Sequence, residues 1–218
     1  MSRDIAVVWQ HRDVLIDGFL RTVLLTIITT IAALVLGALL AAMMQSRFRW
    51  LFRIVQLFVD TMRCIPFLLF AYLLYYGLPA FGIRMSSWST GLFALIVYAS
   101  AYMAEIFRAA WAELPRDGIE AGQAFGFSHF NLFRHIILAP LLFATAPLIG
   151  NQVIQIIKDS AFLMVITVSE LTYAATYIQS TYFTPFTAFV AALLLYWALT
   201  MLVETVIALI DRRAAISR

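Results

Sequence analysis

Long apolar stretches alternate with short polar ones along the chain, a pattern typical of membrane-spanning helices. Five apolar stretches are long enough to cross a bilayer, namely residues 19–44, 54–78, 89–112, 136–157 and 186–210. A helix needs about 20 apolar residues to span the hydrocarbon core. The pattern therefore predicts an all-α integral membrane protein with a five-helix core. The whole chain, residues 1–218, is expected to form a single transmembrane domain.

Residues 158–185, between the fourth and fifth predicted helices, mix polar and apolar positions. A compact protein rarely contains a bare loop of such length. We therefore predict one or two short helices here, on the outer side of the membrane. Within them, the run Met164–Val168 is apolar enough to enter the bilayer.

The composition agrees with a lipid environment. Apolar residues make up 63% of the 218 positions and charged residues 12%, whereas soluble domains carry about 25% charged residues. The net charge of +3 is too small to favour nucleic-acid binding. The single cysteine, Cys64, excludes a disulfide framework. The histidines show no metal-ligand spacing, so neither a metal nor a cofactor is predicted.

Arginine and lysine are more numerous on one side of the predicted helices than on the other. The richer side carries Arg47, Arg49, Arg53, Arg108, Arg116, Arg134, Arg212, Arg213 and Arg218. The poorer side carries Arg3, Arg12, Arg21, Arg84 and Lys158. Because cytoplasmic segments are enriched in these residues, we predict an outer N-terminus and a cytoplasmic C-terminus.

Charged residues inside the predicted helices are candidates for a translocation pathway, because charge is costly in a bilayer. Asp60 and Arg63 lie three residues apart in the second helix, a spacing that allows an ion pair. Glu105 and Arg108 repeat this spacing in the third helix. Two interpretations stay open, local ion pairs near the cytoplasmic interface or a charged group on the pathway. We favour Glu105 for the pathway and retain Arg63 as a candidate.

The fourth predicted helix carries a polar face. Asn151, Gln155 and Lys158 follow at intervals of four and three residues, which places them on one side of an α-helix. In lipid such a face turns toward another helix or toward water. Interhelical hydrogen bonding and lining of a pathway both fit this pattern. Pro147, one turn before Asn151, is able to kink the helix.

Residues 115–135 form the largest polar island between two apolar stretches. Asp117 or Gly118 can begin a short helix there, and Gly126 can end it in a left-handed conformation. Ser128 can then cap a second helical segment. Four phenylalanines lie in this island without an evident cover, Phe125, Phe127, Phe130 and Phe133. We predict a helix–turn–helix docking element for a separate cytoplasmic protein, with an amphipathic segment on the membrane surface as the alternative.

Motifs of ATP binding and hydrolysis are missing from the sequence. It contains no phosphate loop of the GxxxxGK[ST] type and no GxSxG or HExxH motif. Energy for transport must therefore come from a gradient or from a partner. A gradient-driven secondary amino-acid carrier, with Glu105 or Lys158 as a proton site, is one possible function.

The docking element resembles a known signature. The run Glu120-Ala121-Gly122-Gln123-Ala124-Phe125-Gly126, followed by Ile136, Leu138 and Pro140, is similar to the EAA signature of inner-membrane permease subunits of bacterial ABC importers. That signature reads E-A-A, three residues, G, nine residues, I-x-L-P. Gly122 replaces its second alanine, and Pro140 comes one residue late, with Ala139 in its place.

Other stretches resemble the polar amino-acid branch of this family, in particular permeases of the histidine, lysine, arginine and ornithine type. They are Arg63 with Pro66, residues 75–79 (YYGLP), residues 101–108 (AYMAEIFR), Pro147, Asn151, Lys158-Asp159-Ser160, Glu170-Leu171 and residues 182–188 (YFTPFTA).

The resemblance implies a type I importer fold with five core helices, a periplasmic N-terminus and a cytoplasmic C-terminus. It also implies a second permease subunit, identical or related, and a cytoplasmic ATPase dimer that would hydrolyse ATP in place of this chain. A periplasmic binding protein would deliver polar amino acids, basic amino acids or opines among them. The ATPase-docking residues would be Glu120, Ala121, Gly122, Phe125, Gly126 and Phe127.

Overall fold

The computed structural model describes residues 2–216, and the side chains of residues 3–128 and 130–210. Over this part of the chain the structure is all-helical, as predicted. Its α-helices are α1 (Ser2–Gln10), α2 (Arg12–Met44), α3 (Arg49–Cys64), α4 (Phe67–Gly77), α5 (Ser87–Ala112), α6 (Arg116–Ala124), α7 (His129–Leu132), α8 (Leu138–Ser160), α9 (Leu171–Tyr182) and α10 (Pro185–Ile216). Arg212, Arg213 and Arg218, used in the orientation prediction, lie outside the described side chains.

Four helical segments of the described chain are long and apolar enough to cross a membrane, and the bent pair α3–α4 raises the number to five if it counts as one span. The four are Arg12–Met44, Ser87–Ala112, Phe130–Ile166 and Pro185–Ile210. The first span begins at Arg12 instead of residue 19, because the helix continues through a polar turn. An ion pair between Asp17 and Arg21, 3.0 Å apart, connects successive turns there.

The single helix predicted for residues 54–78 is replaced by two helices that meet at an angle of 105°. The break falls at Ile65, which is extended with φ −89° and ψ 135°. Pro66 causes it, because its ring disfavours a helical conformation in the residue before it. Pro66 also lacks the N–H group that would continue the hydrogen-bond ladder of α3.

Helices α2, α5 and α8 form the centre of the bundle. α2 and α5 lie in close contact at Gly37, where an added Cβ would stand only 2.5 Å from the Cβ of Met103. Met103 is fully buried, together with Ala33 on α2 and Ile156 on α8. Small residues at a crossing allow two membrane helices to pack backbone against backbone.

Residues 158–185 contain the short helices that the sequence predicts. A 3₁₀-helix covers Ala161–Ile166 and α9 follows it. Leu163, Ile166 and Val168 of this segment are buried against Leu25 of α2. The apolar run therefore packs into the core of the protein itself.

Candidate docking segment and polar cavity

The docking segment, residues 115–135, begins with a helix and a tight turn. α6 follows Pro115, and Gly126 ends the helical turn in the left-handed conformation, with φ 76°. The amide of Phe127 donates to the carbonyl of Gly122 at 3.0 Å, which closes the helix end. The prediction of a short helix that ends at a left-handed Gly126 is confirmed.

The chain then turns back as a second helical piece. The Ser128 hydroxyl oxygen accepts a weak hydrogen bond from the amide of Asn131, at 3.4 Å, in the predicted capping position. α7 follows and passes through a π-helical turn at Phe133–Ile137 into α8. Gly122 is buried between the two pieces, since an added Cβ would stand 2.5 Å from Cδ1 of Ile136. Gly122 is therefore a packing residue of the docking segment, beneath its surface.

The outer face of the docking segment is apolar and exposed. Phe125 leaves 86% of its surface open, and Phe127 and Phe130 are also exposed. Glu120 and Ala121 lie on the exposed side of α6. Phe133 differs from the other phenylalanines, because its ring stacks on Trp111 of α5 at 6.2 Å. The segment thus presents an acidic residue and three aromatic rings away from the bundle.

Four charged residues of α3 and α5 form one connected cluster. Arg108 donates two hydrogen bonds to the Glu105 carboxylate, each 2.7 Å long. Arg63 lies 3.7 Å from the same carboxylate and 4.0 Å from Asp60. Both ion pairs suggested by the spacing of three residues are present. The contact between Arg63 and Glu105 joins them across the two helices.

Two tyrosines of α5 hold the break between α3 and α4. The Tyr98 hydroxyl donates to the carbonyl oxygen of Ile65 at 3.1 Å, and Tyr102 donates to the carbonyl of Arg63 at 3.4 Å. The two hydroxyl oxygens are 3.2 Å apart. These donors replace the helical partners that the carbonyl groups lose at Pro66.

A polar cavity of about 420 Å³ lies between α5 and α8. Its lining residues are Tyr98, Tyr102, Ile106, Leu148, Asn151, Gln152 and Gln155. Gln155 donates to the buried carboxylate of Asp159 at 2.9 Å. Of the five predicted pathway residues, the structure brings Asn151 and Gln155 together here. Arg63 and Glu105 belong to the ion-pair cluster, and the Arg63 guanidinium lies 6.0 Å from the ring centroid of the cavity residue Tyr102. Lys158 is exposed one position before Asp159.

Two polar residues of the cavity lining escaped the sequence prediction, Tyr98 and Tyr102, and so did Asp159, which accepts the hydrogen bond from Gln155. The two tyrosines are spaced by four residues, which places them on one face of α5. Asp159 continues the four-residue spacing of Asn151 and Gln155 along α8. The interval of four residues was therefore the sequence signal that could have identified both the tyrosines of α5 and Asp159 of α8.

A second buried polar group stands between two of the spans. Glu170 accepts hydrogen bonds of 2.7 Å from the amides of Thr172 and Tyr173, at the start of α9. The Tyr196 hydroxyl donates to the same carboxylate at 2.7 Å. Burial raises the pKa of Glu170 to about 7, against the lowering effect of these hydrogen bonds. Glu170 therefore connects α9 to α10 and caps α9.

The chain is similar to known membrane proteins over most of its length. Residues 33–216 match the family described as binding-protein-dependent transport system inner membrane component. The probable glutamine ABC transporter permease GlnM of Bacillus subtilis is 29% identical over 91% of this chain and 92% of its own. The octopine transport system permease OccM of Rhizobium meliloti is 30% identical over 76% of this chain and 71% of its own.

Solved structures of transporter chains superpose on this chain over most of its length. A chain from the crystal structure of an amino acid ABC transporter with histidines superposes with a TM-score of 0.89, at 27% identity, over 94% of this chain and 96% of its own. A chain of the inward-facing MetNI methionine ABC transporter superposes with a TM-score of 0.70 at 19% identity, over 90% of this chain and 96% of its own. The second likeness concerns the fold alone.

Proposed function

The chain belongs to the family of inner-membrane components of binding-protein-dependent transport systems, and from this premise we propose how it works within an ABC importer of amino acids. It is the permease subunit, an integral protein of the inner membrane. ATPase subunits bind the docking segment, a second permease subunit completes the pathway, and a periplasmic binding protein delivers the substrate. Membership in this family favours an ABC importer over a gradient-driven carrier.

The exposed docking segment is the observation that carries this proposal. Phe125 is 86% exposed although it is large and apolar, and such side chains are usually covered by a partner when they cluster. Glu120 gives the same surface an acidic group, and the left-handed Gly126 fixes the turn between the two helical pieces. A helix–turn–helix with this surface is suited to insert into a groove on an ATPase.

The docking segment faces the cytoplasm in the proposed orientation. Arg47, Arg49 and Arg53, around the connection between α2 and α3, belong to the same end of the bundle by the order of the spans. Segments rich in arginine stay on the cytoplasmic side. The N-terminus is then periplasmic and the C-terminus cytoplasmic, and the 115–135 coupling segment meets a soluble ATPase directly.

The substrate is proposed to pass along α5 and α8. The polar cavity offers phenol and carboxamide groups at Tyr98, Asn151 and Gln155, which suit the polar groups of an amino acid. Arg63, Glu105 and Lys158 extend this polar route on either side of the cavity. Polar amino acids, basic amino acids and opines are the substrate classes, and octopine is named for the OccM relative. Alternation of access then follows from movement of the docking segment.

Charge reversal at the docking surface tests the proposal. We expect Glu120→Lys to abolish co-purification of the ATPase and substrate uptake, while the permease still inserts into the membrane. Phe125→Ala is expected to weaken both by removing the most exposed ring of the segment. Phe81→Ala is the matched control, because Phe81 is 83% exposed but lies after α4, away from the docking segment.

Normal uptake in the Glu120→Lys variant would contradict the docking role. The same conclusion would follow if Phe81→Ala and Phe125→Ala reduced ATPase binding equally, since exposure of any phenylalanine would then explain the loss. ATPase binding and substrate uptake are both measured on the full transporter reconstituted in liposomes.

A further inference from the structure

Two cavities adjoin where α2 and α5 end beside the docking segment. The first has a volume of about 390 Å³ and lies between α2, α5 and the start of α8. The second has a volume of about 400 Å³ and lies between the ends of α2 and α5 and the start of α6. Gln45 and Trp111 line both cavities, so the two meet at these side chains. Each volume is within the range of roughly 300–1,000 Å³ that is usual for small-molecule sites.

The first cavity is apolar. Apart from Gln45 its lining residues are apolar, and three alanines of α2 leave the space open, Ala38, Ala41 and Ala42. Ala38 and Ala42 are exposed, so the cavity opens at the surface of the bundle. From Gln45 to Ala38 it follows α2 over about 10 Å toward the middle of the span. A hydrocarbon chain that runs along the bundle fits this shape.

The second cavity is basic. Its two charged lining residues are both arginines, Arg108 and Arg116. Arg108 is paired with Glu105, whereas Arg116 forms no ion pair within the part of the chain that the structure describes. Arg116 is exposed and begins α6, just after the span formed by α5. An unpaired positive charge therefore lies where this span leaves the membrane, next to the apolar cavity.

We propose that the two cavities bind one anionic phospholipid, with an acyl chain in the apolar cavity and the phosphate at Arg116. The apolar lining lies deeper in the membrane than the basic lining, which is the order of the two parts of a phospholipid in a bilayer. Basic pockets between membrane helices are suited to acidic lipid headgroups. A lipid with a net negative charge is favoured over a zwitterionic one, because both charged groups of the basic cavity are positive.

The bound lipid contacts the docking segment near both of its ends. Arg116 lies at the start of the segment, and Phe133, which lines the apolar cavity, lies close to its end. The lipid thus holds the docking segment against α2 and α5. This inference goes beyond the transport role, since it requires only that the permease is embedded in a bilayer.

Trp111 lines both cavities and is the probe of the test. The purified permease–ATPase complex in detergent is titrated with phosphatidylglycerol whose acyl chains carry bromine, which quenches the fluorescence of a nearby indole. The signal of Trp111 is the difference between the wild type and Trp111→Phe. We expect saturable quenching, with half-saturation at a concentration roughly fivefold lower than for phosphatidylcholine with the same brominated chains.

Two substitutions separate the headgroup contact from the chain contact. Arg116→Gln should remove the preference for phosphatidylglycerol, and Arg116→Lys should keep most of it. Ala42→Phe should weaken quenching by both lipids, because the added ring occupies the apolar cavity. The matched controls are Arg49→Gln and Leu39→Phe, at exposed residues that line neither cavity, and both should behave like the wild type.

Equal half-saturation by the two lipids on the wild type would overturn the proposal, and so would a preference that survives Arg116→Gln. A loss of preference in Arg49→Gln as well would contradict it, because the preference would then come from the general positive charge of this end of the bundle. Inorganic phosphate at the same concentration should leave the quenching unchanged, since it has no chain for the apolar cavity. Reversal of the quenching by phosphate would show an anion site that needs no lipid, and it would also overturn the proposal.

Discussion

The Tyr98 hydroxyl and the Ile65 carbonyl oxygen are joined by a hydrogen bond of 3.1 Å that spans the break between α3 and α4. Ile65 is the residue that Pro66 forces out of the helical conformation. A free carbonyl group is costly in the membrane interior. The bond therefore stabilises the 105° bend between α3 and α4, and the ring of Tyr98 lies on the wall of the polar cavity.

Removal of the Tyr98 hydroxyl should destabilise this bend. We expect Tyr98→Phe to lower the free energy of unfolding by about 1 kcal/mol, because the Ile65 carbonyl loses its donor. The measurement is thermal unfolding of the detergent-solubilised permease. Tyr177→Phe is the control, since Tyr177 is exposed and its hydroxyl has no hydrogen bond among the described residues. Equal unfolding temperatures for the two variants would show that the bend does not depend on this bond.

The close crossing of α2 and α5 predicts a sharp contrast between two glycines. At Gly37 an added Cβ would meet the Cβ of Met103 at 2.5 Å and the amide nitrogen of Ala104 at 3.0 Å, both of them rigid positions. Gly37→Ala should therefore push the helices apart and lower the free energy of unfolding by roughly 1–3 kcal/mol.

Gly77 supplies the matched control for this packing prediction. The space around its added Cβ is open to 4 Å among the described residues. Gly77→Ala should leave the free energy of unfolding unchanged or raise it by up to about 1 kcal/mol, because alanine favours the helix. Thermal unfolding in detergent compares the two. A tolerated Gly37→Ala would mean that α2 and α5 can separate without loss of stability.

Glu170 predicts a dependence of stability on pH. Its pKa is raised by burial to about 7 in the folded protein, whereas an exposed glutamate has a pKa of about 4.3. Between these values the folded protein keeps a proton that the unfolded chain has released. Stability from this group is therefore present in full below the lower value and is lost as the pH rises through about 7. The total loss is on the order of 4 kcal/mol.

A variant that cannot titrate isolates this effect. Glu170→Gln keeps a carbonyl oxygen for one of the two amides at the start of α9 but carries no ionisable group. The unfolding temperature of the wild type should fall between pH 5 and pH 8, and that of Glu170→Gln should change much less. Parallel pH profiles for both proteins would assign the dependence to other groups.

Sequence patterns within a short stretch of chain predicted the features that depend only on residues close together in the sequence. Apolarity placed the third span at residues 89–112, and α5 covers Ser87–Ala112. Glycine chemistry predicted the left-handed turn at Gly126. The bend at Pro66 was missed because an average of hydropathy is the same for a straight and a bent helix. The polar cavity depends on the contact between α5 and α8, which are separated by the whole docking segment, so only part of its lining was predicted.

A π-helical turn at Phe133–Ile137 lies just before the late proline of the docking signature. A π-helical turn holds one residue more than an α-helical turn. The extra residue relative to the signature is Ala139, between Leu138 and Pro140, and the π-helical turn ends two residues before it, at Ile137. Because Pro140 cannot donate to a preceding carbonyl group, it favours a disturbed ladder at this point. We expect this disturbed ladder to be a place where one residue can be lost without rotating the docking segment relative to α8.

Deletion of Ala139 should therefore be tolerated. It restores the spacing of the signature, and we expect the π-helical turn to become α-helical without rotating the docking segment, so that ATPase co-purification and uptake stay near the wild-type level. Deletion of Ala144 is the matched control. It removes one exposed alanine from the regular part of α8, where each residue adds about 100° of rotation at 3.6 residues per turn, and it should abolish ATPase co-purification. If the two deletions impaired ATPase binding to the same degree, the π-helical turn would not be the element that absorbs the extra residue.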